Sequence, residues 1–370
     1  MAPDRLAPRA LNRATLARQL LLRRHDMPAV VAVDHLVGLQ AQAPWSPYFS
    51  LWSRLAGFDP QDLGAALVDR RVVRLVVMRG TIHLLTADDA LTLRPLTQVI
   101  MDRDLRTNSA YARQLAGVDL AELARAARAA VEAEPLTGRQ LGATLAASWP
   151  DHDRTALVYA ARNLLPLVQL PPRAVWGRSG QPTLTTVECW LGRPLHEEPS
   201  LPMLALRYLA AFGPATAADF QTWSGLTRLR DVVERLRPQL RVFVAEDGRE
   251  LFDLAAAPRP APDTPAPPRF LPDYDNLLRS HADRERVIAG HHRRALATRN
   301  GVVPGTVLID GAVGATWWIV RDKRSAVLHV APFARVSRRD AASVVDEGAR
   351  LLDFAAAGFE RREVQLQAVR

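Results

Sequence analysis

The sequence predicts an α+β fold: three tandem winged-helix units, a helix-turn-helix variant, followed by a small C-terminal β-barrel. Three observations carry that expectation. One plan, three helices and then two short strands around a tight turn, recurs three times along the 370 residues. A stretch with proline at nearly every third position, DLAAAPRPAPDTPAPPRF, closes the series and reads as a linker, because proline fixes φ and removes a backbone donor. Beyond it the pattern turns to strand-forming residues.

The first unit, 1–118, carries extra helices. VVAVDHLVGLQ is expected to be a helix ending between Gln40 and Gln42, because Ala43 precedes Pro44 and is biased out of the helical region. Ser46-Pro47 then reads as an N-cap followed by proline at the first helical position, opening PYFSLWSRL. VVRLVVMRGTIHLLT is its hairpin, turning near Arg79-Gly80. The second unit, 119–198, runs LAELARAARAAVEAEPLTGRQLGATLAASW, a helix in RTALVYAARNLLPLV, and a longer hairpin through PPRAVWGRSGQPTLTTVECW. The third, 199–256, is the clearest. LPMLALRYLAAFG stops at Gly213-Pro214, ATAADFQTWSG is a short second helix, and LTRLRDVVERLRP puts Leu226, Leu229, Val232, Val233 and Leu236 on one helical face. LRVFVAEDGRELFDL turns at Asp247-Gly248. After the linker, 257–268, the segment 269–370 holds three strands with turns at Asp310-Gly311 and Asp322-Lys323-Arg324. An amphipathic helix, SRRDAASVVDEGARLLDFAAAG, and a final strand, EVQLQAV, complete it.

The chain carries 48 basic and 39 acidic residues, a net charge of +9. Every basic residue but Lys323 is arginine. Such a surface favours a polyanion, most simply double-stranded DNA, although a GC-rich genome also enriches arginine. The single cysteine, Cys189, excludes an internal disulfide and a cysteine zinc site, and its apolar context LTTVECWLG predicts a buried filler. His291-His292 lie in GHHRR, where neighbouring arginines repel a cation, so no metal is expected. Asp273 and Asp275 in LPDYDNLL are expected to cap the next helix and to hold arginines. No apolar run is long enough to span a bilayer and the N-terminal stretch lacks signal-peptide architecture, so a cytoplasmic protein without a membrane partner is expected.

GLQAQAPWSPYFS places two glutamines, one alanine apart, at a proline-marked corner. In a helix, residues two apart point about 200° away from each other. In extended chain they share a side. A helix that ends here lets Gln40 and Gln42 face one space; the alternative is that both merely cap backbone groups. Trp45 beside them either stacks on a nucleobase or closes the corner. Thr81 and His83 share a face of the first hairpin beyond Arg79, suited to phosphate or minor-groove contact or, alternatively, to plain solvent.

Gln40-Ala41-Gln42 within GLQAQAPWSPYFSLWSRL, then VVRLVVMRGTIHLLTADDA, then FLPDYDNLLRSHADR with NGVVPGTVLIDG, resembles the AlkZ/YcaQ family of DNA glycosylases in its Gln-x-Gln branch, which includes an azinomycin-resistance enzyme. The resemblance covers essentially the whole chain. It implies three winged helices and a barrel around a DNA-sized channel. It implies a monofunctional glycosylase for cationic N7- or N3-alkylated purines, bulky adducts and interstrand crosslinks included. Catalysis would fall to Gln40 and Gln42, with Trp45, Arg79, Thr81 and His83 towards DNA. A nucleoid-associated monomer needing no cofactor is expected. The competing class is a non-catalytic winged-helix regulator, ordinarily a symmetric dimer reading two half-sites.

The amides fit that chemistry. Glycosidases usually need carboxylates to activate water and protonate the leaving group. A purine alkylated at N7 or N3 is already cationic, so its departure needs no acid. What remains is to place a water and offer a carbonyl dipole where charge develops. A lyase would need an amine, and beyond the N-terminus the chain offers only Lys323, at a turn.

Overall fold

The computed structural model describes residues 4–296 and 304–369. The Met1 amine and residues 300–303 of NGVVPGTVLIDG lie outside the described residues. The architecture is mixed α+β, with three sheets among the described residues.

The first hairpin, Val72–Val76 and Ile82–Thr86, meets the second, Leu167–Gln169 and Thr183–Thr186, where Leu75 pairs with Val168. The two hairpins thereby fuse into one six-stranded sheet, edged by Leu39–Gln40 and Leu136–Thr137. The third unit follows the expected order, Leu201–Phe212, Ala217–Ser224, Arg230–Leu236, then the strands Leu240–Ala245 and Glu250–Leu254. Its predicted face, Leu226, Leu229, Val232, Val233 and Leu236, is buried. The same core contains Val37, Leu75, Met78, Ile100 and Val168, so apolar packing runs without a break from the first unit to the third.

Several expectations change. The helix expected to reach Gln40 stops at His35: it is Ala29–His35, because Val37 and Gly38 adopt φ of 53° and 86° and turn the chain out of the helix. Trp45, not Ser46, precedes the first turn of Ser46–Arg54, and Ser46 is buried inside it. VECWL is a short helix, Val187–Leu191, and Cys189 on its outer side is exposed while Val187 takes the inward position.

The C-terminal barrel is not formed. Arg269–Leu271, Gly305–Ile309, Ala312–Arg321, Ser325–Pro332 and Arg361–Leu366 make an open five-stranded sheet whose end strands do not pair with each other. The space that closure would need is filled. Arg338–Ala355 crosses over to deliver the last strand parallel to its neighbour, and its Val344, Leu351 and Leu352 pack on the sheet beside Trp52 from Ser46–Arg54.

The proline-rich segment is tied down along its length. Arginines of the first helix, Pro8–Arg18, donate to its free carbonyls: Arg9 to Pro262, Arg13 to Thr264 and Arg18 to Pro258. Proline-rich backbone leaves carbonyls without ladder partners, and a guanidinium supplies several donors at once. The N-terminal strand Arg5–Leu6 runs parallel to Leu240–Ala245, so the start of the chain packs with the third unit.

Candidate active site

Gln40 closes the strand Leu39–Gln40, antiparallel to Ile82–Thr86, and sits opposite His83. Ala41 N–H donates to Ile82 O at 2.8 Å. Gln40 and His83 therefore form the non-hydrogen-bonded pair, the kind whose facing side chains approach most closely. Both are buried.

The backbone of this corner is held from three sides. Asn276 accepts from Gln40 N–H at 3.1 Å and donates to Gly38 O at 2.7 Å, so one amide braces the chain on either side of Leu39. Arg74, buried in the sheet, donates to Ala41 O at 2.7 Å and to Gln169 at 2.8 Å. Burial pushes its guanidinium down to about 10, which leaves it charged at neutral pH. Beside the Ala41 carbonyl that Arg74 holds, the Ile82 N–H donates to the exposed Gln42 side chain, at 3.3 Å from Oε1.

The amide of Gln40 is oriented in turn. Its Oε1 accepts from Arg79 Nη2 at 3.0 Å. The same nitrogen lies 3.2 Å from His83 Nε2, while His83 Nδ1 lies 3.0 Å from Thr81 O. These partners assign the neutral tautomer, with Nδ1–H donating to Thr81 and Nε2 accepting from Arg79. Burial, reinforced by the Arg79 charge, pushes the imidazole down to about 3. Arg79 also donates through Nη1 to Trp223 O, at the C-terminal end of Ala217–Ser224. Both amides keep a free NH2 among the described hydrogen bonds, and each carbonyl oxygen keeps a second lone pair.

Of the residues expected towards DNA, Trp45 is 37% exposed and stands edge-on to Trp176 at 5.8 Å. Thr81 is half-buried and donates its hydroxyl to Met78 O at 3.1 Å. His83 has no exposed surface, so in this conformation it touches no ligand directly. Arg79 is half-buried and turned towards Gln40.

Asp275 and Arg54 form a fully buried bidentate pair at 2.9 Å, with Ser50 donating to the same carboxylate at 2.7 Å. Burial alone would raise this carboxyl, but Arg54, Ser50 and the capped Leu277 N–H hold it below the usual range. The pair anchors Ser46–Arg54 to the turn that carries Asn276. Asp273 is half-buried and burial raises its carboxyl, against the opposing Gly305 N–H.

Sequence reasoning did not single out Asn276, Arg74 or Trp223. For Arg74 a signal existed: a lone charge within VVRLVV, where a strand side chain must find a buried partner. Asn276 lay inside the FLPDYDNLLRSHADR stretch. The Trp223 carbonyl carried no signal, because any residue supplies one.

Comparison with known proteins places this arrangement in context. The family described as DNA glycosylase AlkZ-like matches residues 33–354. The chain is 26% identical over 381 residues to an interstrand DNA cross-link repair glycosylase of Streptomyces sahachiroi, covering 95% of this chain and 96% of that protein. The solved structure of the S. sahachiroi DNA glycosylase AlkZ superposes with a TM-score of 0.81 at 23% identity, over 98% of this chain and 100% of that one. At that identity the likeness shows the shared fold.

Proposed function

The chain belongs to the AlkZ-like DNA glycosylase family, and from that membership we propose that it hydrolyses the N-glycosidic bond of cationic N7- and N3-alkylated purines in duplex DNA, bulky adducts and interstrand crosslinks included. The observation that carries this reading is the corner itself: two glutamines on a backbone held by Asn276, Arg74 and the hairpin, with no carboxylate among their hydrogen-bond partners in the described residues. The relative described as a cross-link repair glycosylase supports the wider substrate range.

In the proposed reaction the bond between C1′ and the purine nitrogen breaks, and its electron pair neutralises the cationic base. Water adds to C1′ and releases its proton to solvent. Gln40 and Gln42 hold that water between amide donors and carbonyl lone pairs and oppose the charge growing on the sugar. Trp45 and Thr81 contact the DNA around the lesion. The three helix–hairpin units act as winged helices along the duplex, in the proposed divisions 1–118, 119–198 and 199–256, with 269–370 as the fourth part.

The reaction ends at the abasic site. Lys323 is exposed on a turn of the C-terminal sheet and takes no part in the corner's hydrogen bonds. The test is a panel of duplexes in one sequence context, incubated with enzyme in EDTA and read before and after hot alkali. Alkali-dependent cleavage is expected at 7-methylguanine and bulky N7-guanine adducts at similar rates, with uracil, hypoxanthine and 8-oxoguanine untouched. Rapid uracil release, exclusion of the bulky adducts, or strand breaks before alkali would overturn the assignment.

A further inference from the structure

We infer that Arg79 is a positioning residue for the reaction: it fixes the Gln40 carboxamide in one orientation, and the third helical unit holds Arg79 in place. This inference rests on the glycosylase reading of the Gln40 corner and assigns Arg79 a task other than gripping phosphate.

Four observations support it. Arg79 spends its guanidinium inward: Nη2 reaches Gln40 Oε1 at 3.0 Å and His83 Nε2 at 3.2 Å, and Nη1 reaches Trp223 O. A free carboxamide rotates and offers either end to a ligand, whereas one facing a guanidinium must present its oxygen there, which aims its NH2 the other way. Second, His83 accepts only as the neutral imidazole, and its Nδ1–H is committed to Thr81 O at 3.0 Å. It therefore braces Arg79 without competing for Gln40. Third, the backbone of Arg79 is left-handed, with φ 57° and ψ 16°, a conformation that disfavours a residue with a side chain and persists where the surroundings enforce it. Fourth, the enforcing neighbour is identifiable. Gly225, at φ +80°, ends Ala217–Ser224 against the Arg79 backbone, and a Cβ on it would stand 2.9 Å from both Arg79 N and Cα. The same helix end offers Trp223 O, whose partial negative charge suits a guanidinium. A segment more than a hundred residues away thus determines where a side chain beside Gln40 points.

The groups facing this cluster are Arg79, Gln40, His83 and the Thr81 and Trp223 carbonyls, with Arg279 near enough to lower the Arg79 guanidinium slightly further than burial alone. No carboxylate competes for Arg79 among its described partners.

The test separates positioning from phosphate binding. Arg79→Lys and Arg79→Ala are assayed on 7-methylguanine duplex under single-turnover conditions at saturating enzyme, with affinity for undamaged duplex measured across a salt series. The lysine variant keeps charge and stem but lacks the fork needed to bridge Gln40 and Trp223. Both variants are expected to lose about tenfold or more in the single-turnover rate, in the range of a lost positioning group. Affinity and the slope of log K against log salt should stay as in the wild type. Millimolar guanidinium should recover part of the alanine variant's rate and leave the wild type unchanged. Unchanged rates, or a full rate at saturation with the salt slope reduced by about 0.9, would overturn the inference in favour of a phosphate contact. Should Arg79→Ala melt well below the wild type, Arg79→Lys carries the decision alone. A wild-type chain that releases no base defeats the glycosylase reading instead, which keeps the two failures distinct.

Discussion

At the scale of single residues, the proposed catalytic corner is built of groups that do not titrate in the working range. The amides of Gln40 and Gln42 never ionise, and burial together with Arg79 holds His83 down at about 3. The single-turnover rate on a cationic lesion should therefore be flat from about pH 5 to 8, where an ordinary histidine would change charge near 6.5. A bell-shaped profile would reveal an acid or base outside this corner. Stability should behave differently. The folded chain keeps His83 neutral while the unfolded chain protonates it below about 6.5, so its contribution is complete above that pH and declines as pH falls towards 3. Replacing either glutamine with alanine should slow base release by about one to three decades while leaving DNA affinity nearly unchanged. If both variants instead lose affinity and melting temperature in step with rate, the amides are structural caps and the mechanism fails.

At the scale of elements, the buried Arg54–Asp275 pair joins the helix after the glutamines to the turn that carries Asn276. Both side chains are 0% exposed. Removing one partner strands a buried charge, so Asp275→Ala should destabilise the fold by about 3–5 kcal/mol in denaturant unfolding. Replacing both together, as Arg54→Met with Asp275→Leu, should recover most of that loss, because the desolvation of two ions disappears with their attraction. A destabilisation under about 1 kcal/mol for Asp275→Ala would show that solvent reaches the pair. Asp275 also caps Leu277 N–H at 3.1 Å, so the expected capping role and the expected arginine partner fall on the same carboxylate.

At the scale of the whole molecule, the arginine excess bears on how DNA is held. Many arginines are spent internally: Arg13, Arg18, Arg54, Arg74 and Arg94 are nearly or fully buried. Arg279, half-buried on the Asn276–Arg279 turn beside the corner, has no hydrogen bond or ion pair among the described residues. Each phosphate neutralised by an arginine adds about 0.9 to the negative slope of log K against log salt. Binding of undamaged duplex is expected to be sequence-tolerant and steeply salt-dependent, and Arg279→Ala should flatten the slope by about that amount. A slope near zero in the wild type would argue against phosphate contacts altogether, and strong preference for one palindrome would favour a regulator.

Local rules made much of this chain legible. Apolar spacing, Gly and Pro stops and the Asp247-Gly248 turn located the third unit, because those features act within a few residues of one another. The glutamine pair at the proline corner was likewise visible as two amides where a cap belongs. What local rules missed depended on partners distant in sequence. The last sheet stayed open because helices from both ends of the chain occupy the space of closure. The helix before the glutamines stopped early because Gly38 must pass tightly beneath Leu85 on the neighbouring strand. Arg79 turned inward because Trp223 and Gln40 offered it partners at the core, and His83 because Arg79 and the Thr81 carbonyl did. The sequence by itself determined the order of helices and hairpin in the third unit and which corner carries two amides. Only the tertiary structure decided where those amides point, because a side chain's direction is set by the hydrogen-bond partners and excluded volume that distant segments bring to it.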